Sequence, residues 1–319
     1  MSFKFSEIGK KIVFILILIF CCTPIVDPPL ALLIGFILAQ TIGHPFLKWN
    51  SKATSWLLKI SVVGLGFGMN LHHAITAGKE GLYFTIFSIT ITMLAGWLIG
   101  KWLKIEHKIS YLISSGTAIC GGSAIAAVSP IIKADDKQMS VALGTVFILN
   151  SLALFIFPII GHLLDMSQHE FGIWSAIAIH DTSSVVGAAS RFDQYFPSTS
   201  LESALQVATT IKLERALWII PLSILTAFFT KGENKKISIP YFIGFFILTM
   251  AISTFVPQFQ AAYSAIVLVS KQGLTVTLFL IGAGLSLKTI QAVGFKPMLQ
   301  GILLWLLISL ISIFTILTF

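Results

Sequence analysis

Apolar residues run through this chain in long stretches separated by short basic segments, near 11–26, 28–43, 54–71, 81–103, 139–164, 203–229, 240–257, 263–287 and 297–318. Runs of this length without strand-like alternation predict helices that are apolar all round, the pattern of membrane spans. Several are short for a hydrocarbon layer roughly 30 Å thick, so short or tilted helices are expected among them. Two further stretches, near 109–132 and 170–191, are interrupted at their centres. The first is broken by Ser114, Ser115, Gly116, Thr117, Cys120, Gly121, Gly122 and Ser123, the second by His180, Asp181, Thr182, Ser183, Ser184 and Gly187. Paired interruptions inside apolar segments point to a solute-binding site built from discontinuous helices.

Composition supports the membrane reading: 56% of the 319 residues are apolar and 11% charged, and the mean hydropathy is +0.92. That leaves too little polar surface for a soluble globule of this size. The net charge of +8 is spread over short loops, which the positive-inside rule explains without invoking nucleic acid. With the N terminus cytoplasmic, Lys4, Lys10, Lys11, Lys48, Lys52, Lys101, Lys104, Lys108, Lys231, Lys235, Lys236, Lys288 and Lys296 fall inside, and the C terminus falls outside. The first apolar run follows Lys10 and Lys11 but lacks a small-x-small cleavage site, so it is expected to stay as a first helix. The cysteines, Cys21, Cys22 and Cys120, are expected to be small core residues.

Internal matches suggest a duplicated, inverted architecture. Gly66, Gly68, Leu71 and Gly78 match Gly282, Gly284, Leu287 and Gly294 at one offset, and Ala118, Ile119 and Ser123 match Ala178, Ile179 and Ser183. Ile148, Ala153, Leu154 and Pro158 match Ile211, Ala216, Leu217 and Pro221. If both broken segments fold back as hairpins from opposite sides, every matched pair becomes antiparallel. The favoured arrangement is therefore an all-α polytopic membrane protein of one domain, 1–319, with repeat-like halves about 28–164 and 170–318. It has nine spans and two opposed re-entrant hairpins, or eleven crossings if both broken helices traverse the membrane.

The polar residues within these spans carry the candidate chemistry. Gly116, Gly121 and Gly122 permit an unwound backbone, whose freed groups must be buried in protein or line a wet cavity. The half-helix starting near Ser123, with Thr117 and Ser123 hydroxyls, would suit an oxyanion, and Thr182, Ser183 and Ser184 could act likewise from the second hairpin. Simple close packing of small residues is the plainer alternative. Lys212 and Arg215 share one helical face, either as counter-charges for an anion or as partners of Glu214 or Asp181. His180 and Asp181 are candidates for proton or ion coupling, although Asp181 could equally cap the following half-helix. Asn150 either lines the cavity or joins two helices. Lys59, near a span end, is expected to snorkel.

Taken together, the Gly-Leu-Gly-x-Gly-x-x-Leu sequence at 64–71, the run Ser115 to Ile125, His180-Asp181 with Val185 to Ala188, and Lys212-x-x-Arg215 ahead of Pro221 resemble the sulfate exporter family of bacterial inner-membrane proteins. That family looks related to bile-acid and sodium/proton transporters, which move a core domain against a helix panel. The resemblance implies an elevator-like secondary transporter of a small anion such as sulfate in the bacterial inner membrane. Glu214 departs from the expected pattern by placing an acid between the two bases, which would weaken anion selectivity or supply a proton site.

An intramembrane enzyme has little support, because the chain lacks a Gly-x-Ser-x-Gly elbow, a His-Glu-x-x-His pair and a Cys-x-x-Cys signature. Neither a cofactor nor a metal is expected. The substrate-site candidates are Gly116, Thr117, Cys120, Gly121, Gly122, Ser123, Thr182, Ser183, Ser184, Lys212 and Arg215; those for coupling H+ or Na+ are His180, Asp181, Glu214 and Asn150. A sodium- or proton-coupled organic-anion carrier and an anion channel stay open as alternatives. A homodimer is left open too.

Overall fold

A computed structural model describes residues 7–23, 25–197, 203–230, 241–285 and 293–318. It is helical throughout the described residues, without a strand, and each of the nine predicted runs forms helix. The protein is an all-α polytopic membrane protein. Four of its segments are long and apolar enough to cross a bilayer unaided: Phe84–Trp102, Lys137–Leu163, Pro257–Gly284 and Phe295–Ile316. Others are short. A 14-residue helix at 1.5 Å per residue is about 21 Å long, less than the hydrocarbon thickness.

The chain divides into two compact units. The first comprises residues 1–74 and 241–288. It contains α1 (Glu7–Cys21), α2 (Pro28–Thr41), α3 (Leu47–Leu65), α12 (Tyr241–Phe255) and α13 (Gln260–Gly284). Asp27 starts α2 by accepting from the Leu30 N–H at 2.9 Å, with Pro28 in the first turn where its missing donor costs nothing. α13 is the centre of this unit and meets α2 and α3 through glycines. A Cβ on Gly35 would lie 2.2 Å from the Phe279 carbonyl oxygen, and one on Gly282 would lie 2.1 Å from that of Leu32. Gly64 meets Ser270 and Gly273 meets Ser61, so α3 and α13 pass each other antiparallel. Asn50 and Gln40 donate to the Leu280 and Leu285 carbonyls, each at 2.9 Å, and tie the C-terminal end of α13.

The second unit comprises residues 75–240 and 289–319. It holds most of α4 (Leu71–Trp102), then α5 (His107–Ala118), α6 (Gly122–Val128), α7 (Asp136–Leu163), α8 (Gln168–Ala178), α9 (Thr182–Tyr195), α10 (Ala204–Leu217), α11 (Ile219–Phe229) and α14 (Phe295–Thr318). Capping boxes at Asp135/Gln138, Ser167/Glu170 and Ser203/Gln206 start α7, α8 and α10. The predicted run 203–229 is two helices rather than one, divided at Trp218. Pro221 has no N–H for the Leu217 carbonyl and its ring crowds that turn. Its sequence match Pro158 stays inside the continuous α7.

Both interrupted segments are helical hairpins. Lys108, at the start of α5, donates to the Lys133 carbonyl beyond α6 at 2.7 Å, and Gln138 donates to Glu106, so the first hairpin leaves where it entered. In the second, Gln168 donates to the Phe196 carbonyl at 2.6 Å and the Phe171 and Phe192 rings stack at 3.9 Å, joining the ends of α8 and α9. His162, at the end of α7, stacks on Phe196 at 3.9 Å. One hairpin is therefore based at the start of α7 and the other at its end. Their tips meet near the middle of α7: Val146 lies against Gly121, and Asn150 accepts the His180 N–H at 3.0 Å.

α4 and α14 close around this pair. Gly96 and Gly100 let Ser114 and Ser110 of α5 approach α4, and buried Gln300 of α14 donates to the Gly96 carbonyl at 3.0 Å and the Ser110 hydroxyl at 2.8 Å. Cys21 and Cys120 are buried as expected, but Cys22 is exposed in the turn after α1, with its thiol directed to the Leu18 carbonyl. Lys59 lies over the Trp56 ring, 5.7 Å from its centroid.

Candidate functional site

The hairpin tips expose helix ends to each other in the interior of the second unit. α5 stops at Ala118 and α8 at Ala178, leaving carbonyl groups without intrahelical donors. α10 brings two cations to those carbonyls. Lys212 Nζ donates to Ala176 O at 3.0 Å and to Ile179 O at 2.6 Å. Arg215 donates from Nη2 to Ala118 O at 2.5 Å and from Nη1 to the Ser88 hydroxyl at 2.9 Å. Both side chains are fully buried. One face of one helix thus neutralises the negative ends of two half-helices belonging to different hairpins. Among the described residues, neither cation forms an ion pair with Asp181 or Glu214, contrary to the simplest sequence alternative.

The opposite polarity is handled differently at each tip. Asp181 occupies the N terminus of α9, accepting the Ser183 and Ser184 N–H groups at 3.1 and 3.2 Å and the hydroxyls of both serines. That helix end already holds a carboxylate from its own sequence, so it is not an open oxyanion site. α6 starts at Gly122 without a side-chain cap, after Gly121 turns the chain at φ +66°. Gly121 is also where the tips touch, since a Cβ there would lie 3.3 Å from the Asp181 Cα.

The remaining candidates separate into two environments. Gly116, Thr117 and Cys120 are buried, as are His180, Thr182 and Asn150. Gly122 and Glu214 are half-buried, and Ser123 is exposed. Thr117 and Ser123, read from sequence as a hydroxyl pair, therefore do not share an environment. His180 is enclosed, yet neither ring nitrogen has a hydrogen-bond partner among the described residues. The same holds for Thr117 Oγ1, Asn150 Nδ2 and Arg215 Nε. Leaving one such atom dry costs about 1–3 kcal/mol, so each of these atoms calls for a polar partner.

Two residues absent from the sequence reading belong here. Ser88 of α4 links Arg215 to the Thr85 carbonyl, and Thr85 is buried with an unpartnered hydroxyl. Small hydroxyls inside an apolar helix give no local signal, because Ser88 meets Arg215 across 127 residues of chain. The half-helix carbonyls were equally invisible, being backbone.

Fold and site define a polytopic α-helical membrane protein organised around two opposed hairpins whose crossing is neutralised by buried charge. The chain belongs to the family described as Conserved hypothetical protein 698, which matches residues 14–301. It is 57% identical over 290 residues to a UPF0324 membrane protein of Bacteroides thetaiotaomicron, covering 89% of this chain and 84% of that protein. A second UPF0324 membrane protein, from Photobacterium profundum, is 52% identical over 318 residues, covering 98% and 94%. The counterpart in Shewanella oneidensis is 49% identical over 310 residues, covering 97% and 95%. No solved structure matches the chain.

Proposed function

We propose that this protein is a secondary transporter of a small anion, sulfate being the working substrate, in the bacterial inner membrane with its N terminus cytoplasmic. The observation that carries the reading is the group of unpartnered buried polar atoms, on Thr117, Asn150, His180 and Arg215, around two opposed hairpin tips. Discontinuous helices at mid-membrane are how carriers place freed backbone and charge at a solute. Lys212 and Arg215 bias the crossing toward anions, while half-buried Glu214, between them in sequence, offers a titratable group. The two hairpins, based at opposite ends of α7 and carrying the match of Ala118, Ile119 and Ser123 to Ala178, Ile179 and Ser183, support inverted repeats and hence alternating access. The sequence resemblance to sulfate exporters, and beyond them to bile-acid and sodium/proton transporters, points the same way and favours elevator movement. An intramembrane enzyme is the weaker reading, because the chain lacks the hydrolase and metal signatures.

His180 favours a second version of the same function, in which a proton-coupled carrier moves an organic anion, because its free imidazole nitrogens are suited to proton exchange. The test is labelled-sulfate flux into proteoliposomes under a pH gradient, a sodium gradient and no gradient, with wild type beside His180→Gln. Since no hydrogen bond to the ring is lost, His180→Gln should stay folded while flux falls. Equal flux in the variant would remove His180 from the pathway. Absence of wild-type sulfate flux under every gradient would remove sulfate.

A further inference from the structure

Toward the start of α5, away from its Ala118 end, the second unit holds a cavity of about 790 Å3 between α4, α5 and α11. Its size lies in the range of roughly 300–1,000 Å3 that takes a small organic ligand. The walls are apolar, with Leu94, Trp97, Ile132 and Phe229 among them, and Leu94, Trp97 and Phe229 are 57%, 54% and 79% exposed. In a polytopic membrane protein such residues face lipid, so the cavity is entered sideways from the bilayer. Its mouth is basic: Lys101, Lys104 and His107 lie along one end.

The basic end is set by local backbone. α4 terminates at Trp102, and Lys104 takes a left-handed conformation, φ 54°, with Ile105 N–H closing onto the Gly100 carbonyl at 2.9 Å. This turn places two lysines at one rim. Lys101 Nζ sits 5.5 Å from the centroid of Trp97, an arrangement suited to the water–lipid boundary. Among the described residues neither lysine has a carboxylate within ion-pair distance. Lys108 and Lys133 lie at the same end, which the positive-inside rule assigns to the cytoplasmic leaflet, where anionic lipids provide a partner of opposite charge.

We propose that this cavity binds an anionic phospholipid, with its phosphate at Lys101, Lys104 and His107 and an acyl chain along Leu94, Trp97 and Phe229. Ser110 and Ser114 of α5 form the inner wall, so the lipid would lie directly against the first hairpin.

The proposal is tested on the detergent-purified full chain by native mass spectrometry and thermal unfolding. The probes are phosphatidylglycerol, phosphatidylcholine with the same acyl chains, and inorganic phosphate. Phosphatidylglycerol should give a discrete adduct and raise Tm by several degrees, whereas phosphatidylcholine and phosphate should not. Lys101→Ala and Lys104→Ala should each weaken the adduct about fivefold, the value of one lysine near an anionic lipid. Leu94→Trp, at an exposed position, should weaken it by filling the cavity, with lipid-free Tm confirming that each variant is folded. Equal binding of phosphatidylcholine, displacement by inorganic phosphate, or unchanged binding in folded variants would each overturn the assignment.

Discussion

Lys212 Nζ lies 2.6 Å from the carbonyl oxygen of Ile179, the residue at which the second hairpin turns. With its second bond to Ala176 O, this lysine holds the end of α8 while Arg215, one turn along α10, holds the end of α5. The cations are therefore structural parts of the crossing as well as a source of positive potential.

Lys212→Met should destabilise the protein. It leaves two buried carbonyls without a donor, at about 1–3 kcal/mol each, partly offset by the desolvation cost that the buried ammonium no longer incurs. A lowered Tm of the purified protein in detergent is the expected outcome. An unchanged Tm would mean that water replaces the ammonium at both carbonyls.

Asp181 separates capping from coupling. Asp181→Ala removes the cap of α9 and should cost about 0.5–2 kcal/mol, while Asp181→Asn keeps an acceptor and most of that stability. If Asp181 carries the coupled proton, Asp181→Asn should retain a Tm near wild type yet lose the acceleration of flux by a pH gradient. A variant that keeps the gradient response would assign Asp181 to capping alone.

Gly282 and Gly244 make a matched pair of substitutions. A methyl at Gly282 would meet the Leu32 carbonyl oxygen, a backbone atom that cannot swing aside, at 2.1 Å, whereas one at Gly244 would have no atom within 4 Å. Gly282→Ala should cost roughly 1–3 kcal/mol or more through overpacking of α2 on α13. Gly244→Ala should be neutral or stabilising by up to about 1 kcal/mol, because alanine favours helix. Yield and monodispersity after extraction, followed by Tm, check the contrast.

The sequence by itself determined that this is an all-α membrane protein, where most of its helices lie, and where two apolar segments are interrupted, but not the division of 203–229 at Trp218. Those properties are local: an apolar run long enough to exclude water from its backbone must be helical, and a glycine- and serine-rich interruption must end the helix. It also placed Lys212, Arg215, His180 and Asp181 within apolar segments, where charge and imidazole are conspicuous. Only the tertiary structure decided what those groups touch. Lys212 serves carbonyls 33 and 36 residues away, Arg215 reaches Ala118 and Ser88, and Asp181 turns back on its own helix, whereas Ser123 is exposed. Backbone carbonyls carry no residue identity, and contacts across such separations depend on how two hairpins from opposite ends of α7 come to meet. The inverted matches already favoured opposed hairpins over crossings, and the Lys108–Lys133 and Gln168–Phe196 bonds at their bases decided between the two. Hydropathy measures how apolar a segment is, and a helix that crosses and one that turns back can be equally apolar.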